Sequence, residues 1–253
     1  MSAATVAVAE RPVAQPFLSV RGVSKRFGGL TAVDNVTFDV TPGEIVSIIG
    51  PNGAGKTTLF NLLTGQLKPT AGDVNFNGEV INAVPPDRRA RLGLGRTFQI
   101  AKPLTALTAL ENVMVGAFMH HRRLHDAESK ARAVLGEVGL GHRAAVRASQ
   151  LTLSECRRLE VARALALEPS VILLDEVMAG LNQSEVSDSI ALFQKLNGSG
   201  LTFLIIEHNL KVVRTFSERV IVLDRGSTIA EGNAETILTT PEVVTAYLGN
   251  RRR

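Results

Sequence analysis

The sequence holds a single cysteine, Cys156, one tyrosine and no tryptophan among 253 residues. One cysteine excludes an internal disulfide framework and suits a reducing cytosol. No apolar run reaches the roughly 18 residues that a bilayer span requires. The longer apolar stretches, Ile45–Ile49 and Val171–Leu174, have the length of buried strands. The opening residues, MSAATVAVAERPVAQP, have neither a basic start nor a continuous apolar segment, so no signal peptide is expected. Residues 1–15 and 251–253 read as tails. The formal charge of +4 is spread over separate groups: Arg88, Arg89 and Arg91, then His121, Arg122 and Arg123, then Arg251 to Arg253. Without interleaved aromatics such groups read as solvated faces, and no nucleic-acid partner is expected.

What the chain does have is enough apolar residues, 45%, for a packed core. Phe17–Val23 and Val33–Val40 read as strands, the second alternating Val33, Val36, Phe38 and Val40. Glu44–Ile49 is a third, and a helix follows from about Gly55 to Leu63. Asp73–Phe76, Asn77-Gly78 and Glu79–Ile81 spell a hairpin, because Asn-Gly suits a type I′ turn. From about Pro85 to Gln150 the chain changes character: strand signals fade after Phe98, and helices are expected at Leu110–Met119 and Ala127–Val138. Strand and helix then alternate: helix Ser154–Leu167, strand Val171–Leu174, helix Ser184–Leu196, strand Leu201–Ile206, helix Leu210–Phe216, strand Val220–Asp224. That alternation implies parallel strands covered by helices on both faces. A short strand at Thr228–Glu231 and two short helices complete the pattern.

The strongest chemical signal is GPNGAGKTT: Gly50, Pro51, Asn52, Gly53, Ala54, Gly55, Lys56, Thr57 and Thr58. It follows an apolar strand and opens a helix, the context a phosphate-binding loop requires. Its glycines let backbone N–H groups converge on phosphate at a helix N-terminus. Lys56 is expected to reach the β- and γ-phosphates of ATP, and Thr57 to ligand Mg²⁺. A second signal is VILLDE, Val171 to Glu176. It places Asp175 and Glu176 at the carboxyl end of a buried strand, where ligands bind in open α/β sheets. Adjacent strand residues face opposite ways, so the two carboxylates take different roles. Asp175 suits Mg²⁺, and Glu176 suits a general base acting on water. His208 also follows an apolar strand, Leu204–Ile206 and Glu207, at a carboxyl end.

These strings, in the order GPNGAGKTT, RTFQ (Arg96 to Gln99), LTLSECRRLE (Leu151 to Glu160), VILLDE and IIEHN (Ile205 to Asn209), resemble the nucleotide-binding subunits of ABC transporters over nearly the whole chain. RFGGLTAVDNVTF, GLGRTFQ with ENV soon after, and DEVMAGLN are similar to the branched-chain amino acid transporter group. The resemblance implies an α/β fold of the P-loop NTPase ABC-cassette type: a mixed-sheet core, an N-terminal antiparallel β part and a helical subdomain. The boundaries expected are one domain over 16–250, its core and β part at about 16–98 and 155–250 and its helical subdomain at about 99–165. It implies that Phe27 stacks on adenine, and that Gln99 touches Mg²⁺ and the attacking water. It implies that His208 contacts the γ-phosphate, and that Gly180, Leu181 and Asn182 link two facing cassettes. It further implies a second cassette, self or paralogue, transmembrane permease subunits, an indirect solute-binding protein, and a place on the cytoplasmic face of the cell membrane.

One string departs from the family. Its signature normally reads LSGGQ and caps the γ-phosphate held by the opposite cassette. Here Thr152 keeps a hydroxyl, but Leu153, Ser154 and Glu155 replace Gly, Gly and Gln. A carboxylate there is expected to repel phosphate unless it points outward or pairs with Arg157 or Arg158. Two readings follow: a subgroup cap that works normally, or one slow site in a pair of unlike cassettes. A regulatory, catalytically weak subunit and a non-transport ABC ATPase stand as alternatives. Cys156 next to two arginines would ionise more easily and serve as a redox switch; an inert small residue is the plainer reading.

Overall fold

A computed structural model describes residues 16–97 and 103–248. Strands β1 (Leu18–Phe27), β2 (Leu30–Val40) and β3 (Ile45–Ile49) lead to helix α1 (Lys56–Leu63). Then come β4 (Ala71–Phe76), β5 (Glu79–Val80), α2 (Pro86–Arg91) and β6 (Leu94–Arg96). Helices α3 (Ala109–Ala117), α4 (Leu124–Glu137) and α5 (Leu153–Leu165) follow. The alternating part is β7 (Val171–Asp175), α6 (Gln183–Gly198), β8 (Thr202–Ile206), α7 (Leu210–Phe216), β9 (Arg219–Asp224), β10 (Ser227–Asn233), α8 (Ala234–Ile237) and α9 (Pro241–Leu248).

Two sheets result. One is antiparallel in the order β2-β1-β4-β5; the other runs β10-β9-β3-β8-β7-β6 and is parallel except for β10. The expected mixed core with an antiparallel N-terminal part is therefore present. Strand β1 runs four residues beyond the expected Val23, because Gly28 turns the chain so that Phe27 pairs with Leu30. The hairpin at Asn77-Gly78 has φ of 51° and 84°, as a type I′ turn demands. Strand β6 adds an edge to the parallel sheet just before Phe98, where strand signals fade.

The period of two sorts the central strands. Ile172, Leu174, Phe203 and Ile205 face one apolar cluster together with α3 to α7. Val46, Ile48, Val171, Leu173, Leu204 and Ile206 face another, which holds α1 and the antiparallel sheet. Helix α1 is thus clamped between two sheets, with Leu59, Phe60, Leu62 and Leu63 fully buried. The loop ahead of it is held from behind by packing.

Candidate active site

Strand β3 delivers the chain into residues 50–55, and α1 opens at Lys56. Two glycines are required by space as well as dihedral. A Cβ on Gly50 would lie 2.1 Å from the Leu223 carbonyl oxygen, and one on Gly55 would lie 2.3 Å from that of Ala32. Both have φ in the left-handed range. The turn after β9 braces the loop, with Gly226 N–H donating to the Ala54 carbonyl at 3.0 Å. Gly55 caps α1 with no side chain, and no acid stands in the first turn. The first N–H groups of α1 are therefore aimed at an anion with nothing competing. Lys56 is buried at the loop's base and donates to the carbonyls of Gly50 (2.8 Å) and Pro51 (2.9 Å). Burial pushes its pKa down, against the pull of Glu176 and Asp175.

A cavity of about 730 Å³ opens over this loop, and Phe27, Asn52, Lys56, Thr57, Glu176 and His208 are among its walls. Phe27, loop residues 52–58, Glu176 and His208 thus meet in one place, while Gly50 and Pro51 are not among the walls of this cavity. Phe27 is 46% exposed at the lip, with Lys25 Nζ 5.2 Å from its ring centroid. Gln99 lies outside the described residues.

The two carboxylates do part company. Asp175 ends β7 and is buried, with Oδ2 3.1 Å from Arg96 Nη2 and Oδ1 without a hydrogen-bond partner. Burial raises its pKa, and Arg96 draws it back only in part. Glu176 leaves the strand at φ 51°, a costly conformation for a residue with a Cβ and one found at functional sites. That turn brings Glu176 Oε1 within 2.6 Å of His208 Nε2. The unpartnered Oδ1 of Asp175 and the exposed Thr57 hydroxyl form a hard-oxygen donor set that fits Mg²⁺.

The departure at 152–155 has a structural explanation that the residues themselves carry. Thr-Leu-Ser-Glu is a capping box: Thr152 Oγ1 accepts from Glu155 N–H at 3.3 Å, and Glu155 Oε2 accepts from Thr152 N–H at 2.9 Å. Arg143 Nη2 donates to Glu155 Oε2 at 3.1 Å, and its Nε lies 2.8 Å from Oε1. The expected partners are engaged elsewhere, Arg157 with Glu160 and Arg158 with Asp188. Burial raises the Glu155 pKa, but the Thr152 N–H and Arg143 outweigh it and hold the carboxyl below its usual value. Leu153 is half exposed and lies against Gly180, its Cδ2 3.2 Å from where a Cβ would stand. Ser154 follows it in the first turn. Against the redox reading of Cys156, burial, then Glu160 and Glu155, raise the thiol pKa despite the pull of Arg157.

Three residues with no role expected from sequence enter the site. Arg96 holds Asp175. Arg143 neutralises Glu155. Glu207, buried beneath His208, accepts its N–H at Oε2 (3.2 Å); burial raises its pKa, and the N–H groups of His208, Asn209 and Met178 draw it back only in part. The capping box was legible as T-x-x-E; the arginine partners come from elements 12 and 79 residues away and have no local signal. A second, smaller groove of about 240 Å³ runs between β6, α3 and α5, with Thr97, Val115 and Met119 in its walls.

Residues 33–179 match the family model described as ABC transporter. The chain is 40% identical to the high-affinity branched-chain amino acid transport ATP-binding protein LivG of Escherichia coli (strain K12), across 94% of this chain and 99% of that one. It shows the same identity and coverage with BraF of Pseudomonas aeruginosa, which carries the same description. A nucleotide-free ATP-binding cassette from an ABC transporter superposes with a TM-score of 0.85 at 32% identity, covering 92% of this chain and 99% of that one. A dimeric cassette in a post-hydrolysis state, bound to ADP and Pi, superposes with a TM-score of 0.78 at 30% identity, over 86% and 98%.

Proposed function

The chain belongs to the ABC transporter family, as an ATP-binding and ATP-hydrolysing subunit, and from that premise we propose that it drives uptake of branched-chain amino acids through permease subunits carried on other chains. No helix among the described residues is long and apolar enough to cross a membrane. As an ATP-binding subunit of such a transporter, the chain would act at the cytoplasmic face, docked to those subunits through the groove between β6, α3 and α5, with a solute-binding protein supplying cargo. The names of LivG and BraF support the cargo class.

Two cassettes close around two ATP molecules, each site formed by residues 50–58 of one and 152–155 of the other. Lys56 exchanges its loop carbonyls for the β- and γ-phosphates, and Phe27 stacks on the base. Thr57, Asp175 and Gln99 would hold Mg²⁺, which when bound offsets phosphate charge. Glu176 orients a water and accepts its proton as the oxygen attacks the γ-phosphorus. The bond to the β-phosphate oxygen breaks, giving ADP and phosphate. His208 sits beside both Glu176 and the γ-phosphate. The segment 152–155 serves as a working cap, because Arg143 cancels the Glu155 charge and the Leu153 and Ser154 N–H groups remain available.

The Glu176–His208 contact at 2.6 Å in the wall of the phosphate-loop cavity carries this reading. The test is Glu176→Gln in the chain reconstituted with its permease subunits. ATP binding should hold within about twofold while turnover falls about 10²- to 10⁴-fold. Near-normal turnover would remove Glu176 from the role. Stimulation of the reconstituted ATPase by leucine, isoleucine or valine with binding protein would fix the cargo, and stimulation only by other amides would replace it.

A further inference from the structure

Arg96 is almost fully buried, yet its guanidinium reaches two elements that each carry a cation-site oxygen. Nη2 donates to Asp175 Oδ2 at 3.1 Å. Nη1 donates to Asn61 Oδ1 at 2.6 Å and to Thr64 Oγ1 at 3.1 Å, both on or at the end of α1. Its Cζ lies 5.9 Å from the centroid of the Phe60 ring on the same helix. Asn61 is one turn beyond Thr57, so it rides rigidly with that hydroxyl. Asp175 is the last residue of β7. The fork of one guanidinium therefore spans the helix that bears Thr57 and the strand that bears Asp175.

We infer that Arg96 is a positioning residue that sets the distance between Thr57 and Asp175 and leaves Oδ1 of Asp175 turned toward the divalent cation. The inference rests on the proposed roles of Thr57 and Asp175. The geometry calls for arginine in particular. A planar fork donates in two directions at once, whereas a lysine ammonium on a flexible stem holds one partner without fixing the other.

The test uses equilibrium binding of a fluorescent ATP analogue in the full chain carrying Glu176→Gln, so that no hydrolysis intervenes. Arg96→Lys keeps the charge and folds where Arg96→Met risks a buried unpaired carboxylate. Asn61→Ala removes only the helix-side anchor. In EDTA all three proteins should bind the analogue within about twofold of one another. The Mg²⁺ concentration that gives half the cation-dependent gain in affinity should rise about tenfold in Arg96→Lys and about threefold in Asn61→Ala. Unchanged Mg²⁺ dependence in Arg96→Lys would overturn the inference, whatever happens to turnover. So would an equal loss of affinity in EDTA, which would mean that Arg96 merely supports the loop. If the parent protein shows no Mg²⁺-dependent gain, the cation roles of Thr57 and Asp175 fall, and the inference falls with them.

Discussion

Two helix N-termini in this molecule are assigned to phosphate, and they are built in opposite ways. Helix α1 begins bare: Gly55 offers no side-chain cap, and the first turn has no acid. Helix α5 begins sealed: Thr152 and Glu155 satisfy two of its terminal N–H groups, and the acid is held by Arg143. In the proposed function the bare end meets the nucleotide of its own cassette and uses every donor it has. The sealed end is satisfied within its own chain, and in the proposed function it offers the N–H groups of Leu153 and Ser154 to the partner's nucleotide. The same device recurs at α3 with Thr108 and Glu111 and at α6 with Asn182 and Glu185. At α5 it therefore reads as local helix chemistry written over the family's glycines.

The largest effect is expected from closing the bare end. In Gly55→Ala the new Cβ meets the Ala32 carbonyl oxygen at 2.3 Å, at a φ of +100°. ATP affinity by calorimetry should fall about 10²- to 10³-fold as the donors lose aim. Retention of affinity would mean that α1's N–H groups do not carry the binding. Next comes the charge at the sealed end. Arg143→Met should lower turnover of paired cassettes about tenfold by freeing the Glu155 carboxylate. Adding Glu155→Gln should restore it, since glutamine keeps the capping box without the charge. Failure of the second change to rescue would assign Arg143 to packing alone.

Smaller still is Thr152→Ala, which removes a cap worth about 1 kcal/mol. It should lower the melting temperature by about 2–4 °C in a chain of this size. The same substitution cannot be made at α1, which has no side-chain cap to lose. The smallest effect is in pH. Glu155 has a folded pKa below its ordinary 4.5, because the Thr152 N–H and Arg143 outweigh the raising effect of burial. Its contribution is therefore present above about pH 4.5 and is lost as pH falls through the lower, folded value. The melting difference between the parent and Glu155→Gln should shrink over that acid window and stay flat from pH 6 to 8. A difference that grows on acidification would reverse the sign of the Glu155 shift.

What was readable from the residues alone was whatever depends on local order. The short continuous apolar runs Val171–Leu174 and Leu204–Ile206 mark buried strands, and the spacing of Gly50, Gly53, Gly55 and Lys56 marks the loop ahead of α1. The alternation from Ser154 onward fixes the parallel sheet. Even the capping box is written locally, as Thr152 and Glu155 in a T-x-x-E string. Only the tertiary structure decided which charges answer one another. Glu155 sits beside Arg157 and Arg158 in sequence and pairs with Arg143 instead, because helix geometry sends those two neighbours to Glu160 and Asp188. Asp175 meets Arg96 across adjacent parallel strands, and Glu176 meets His208 across a left-handed turn. Ion pairs are chosen by where side chains arrive in space, and only the packing of β6, β7, β8 and α1 sets that arrival.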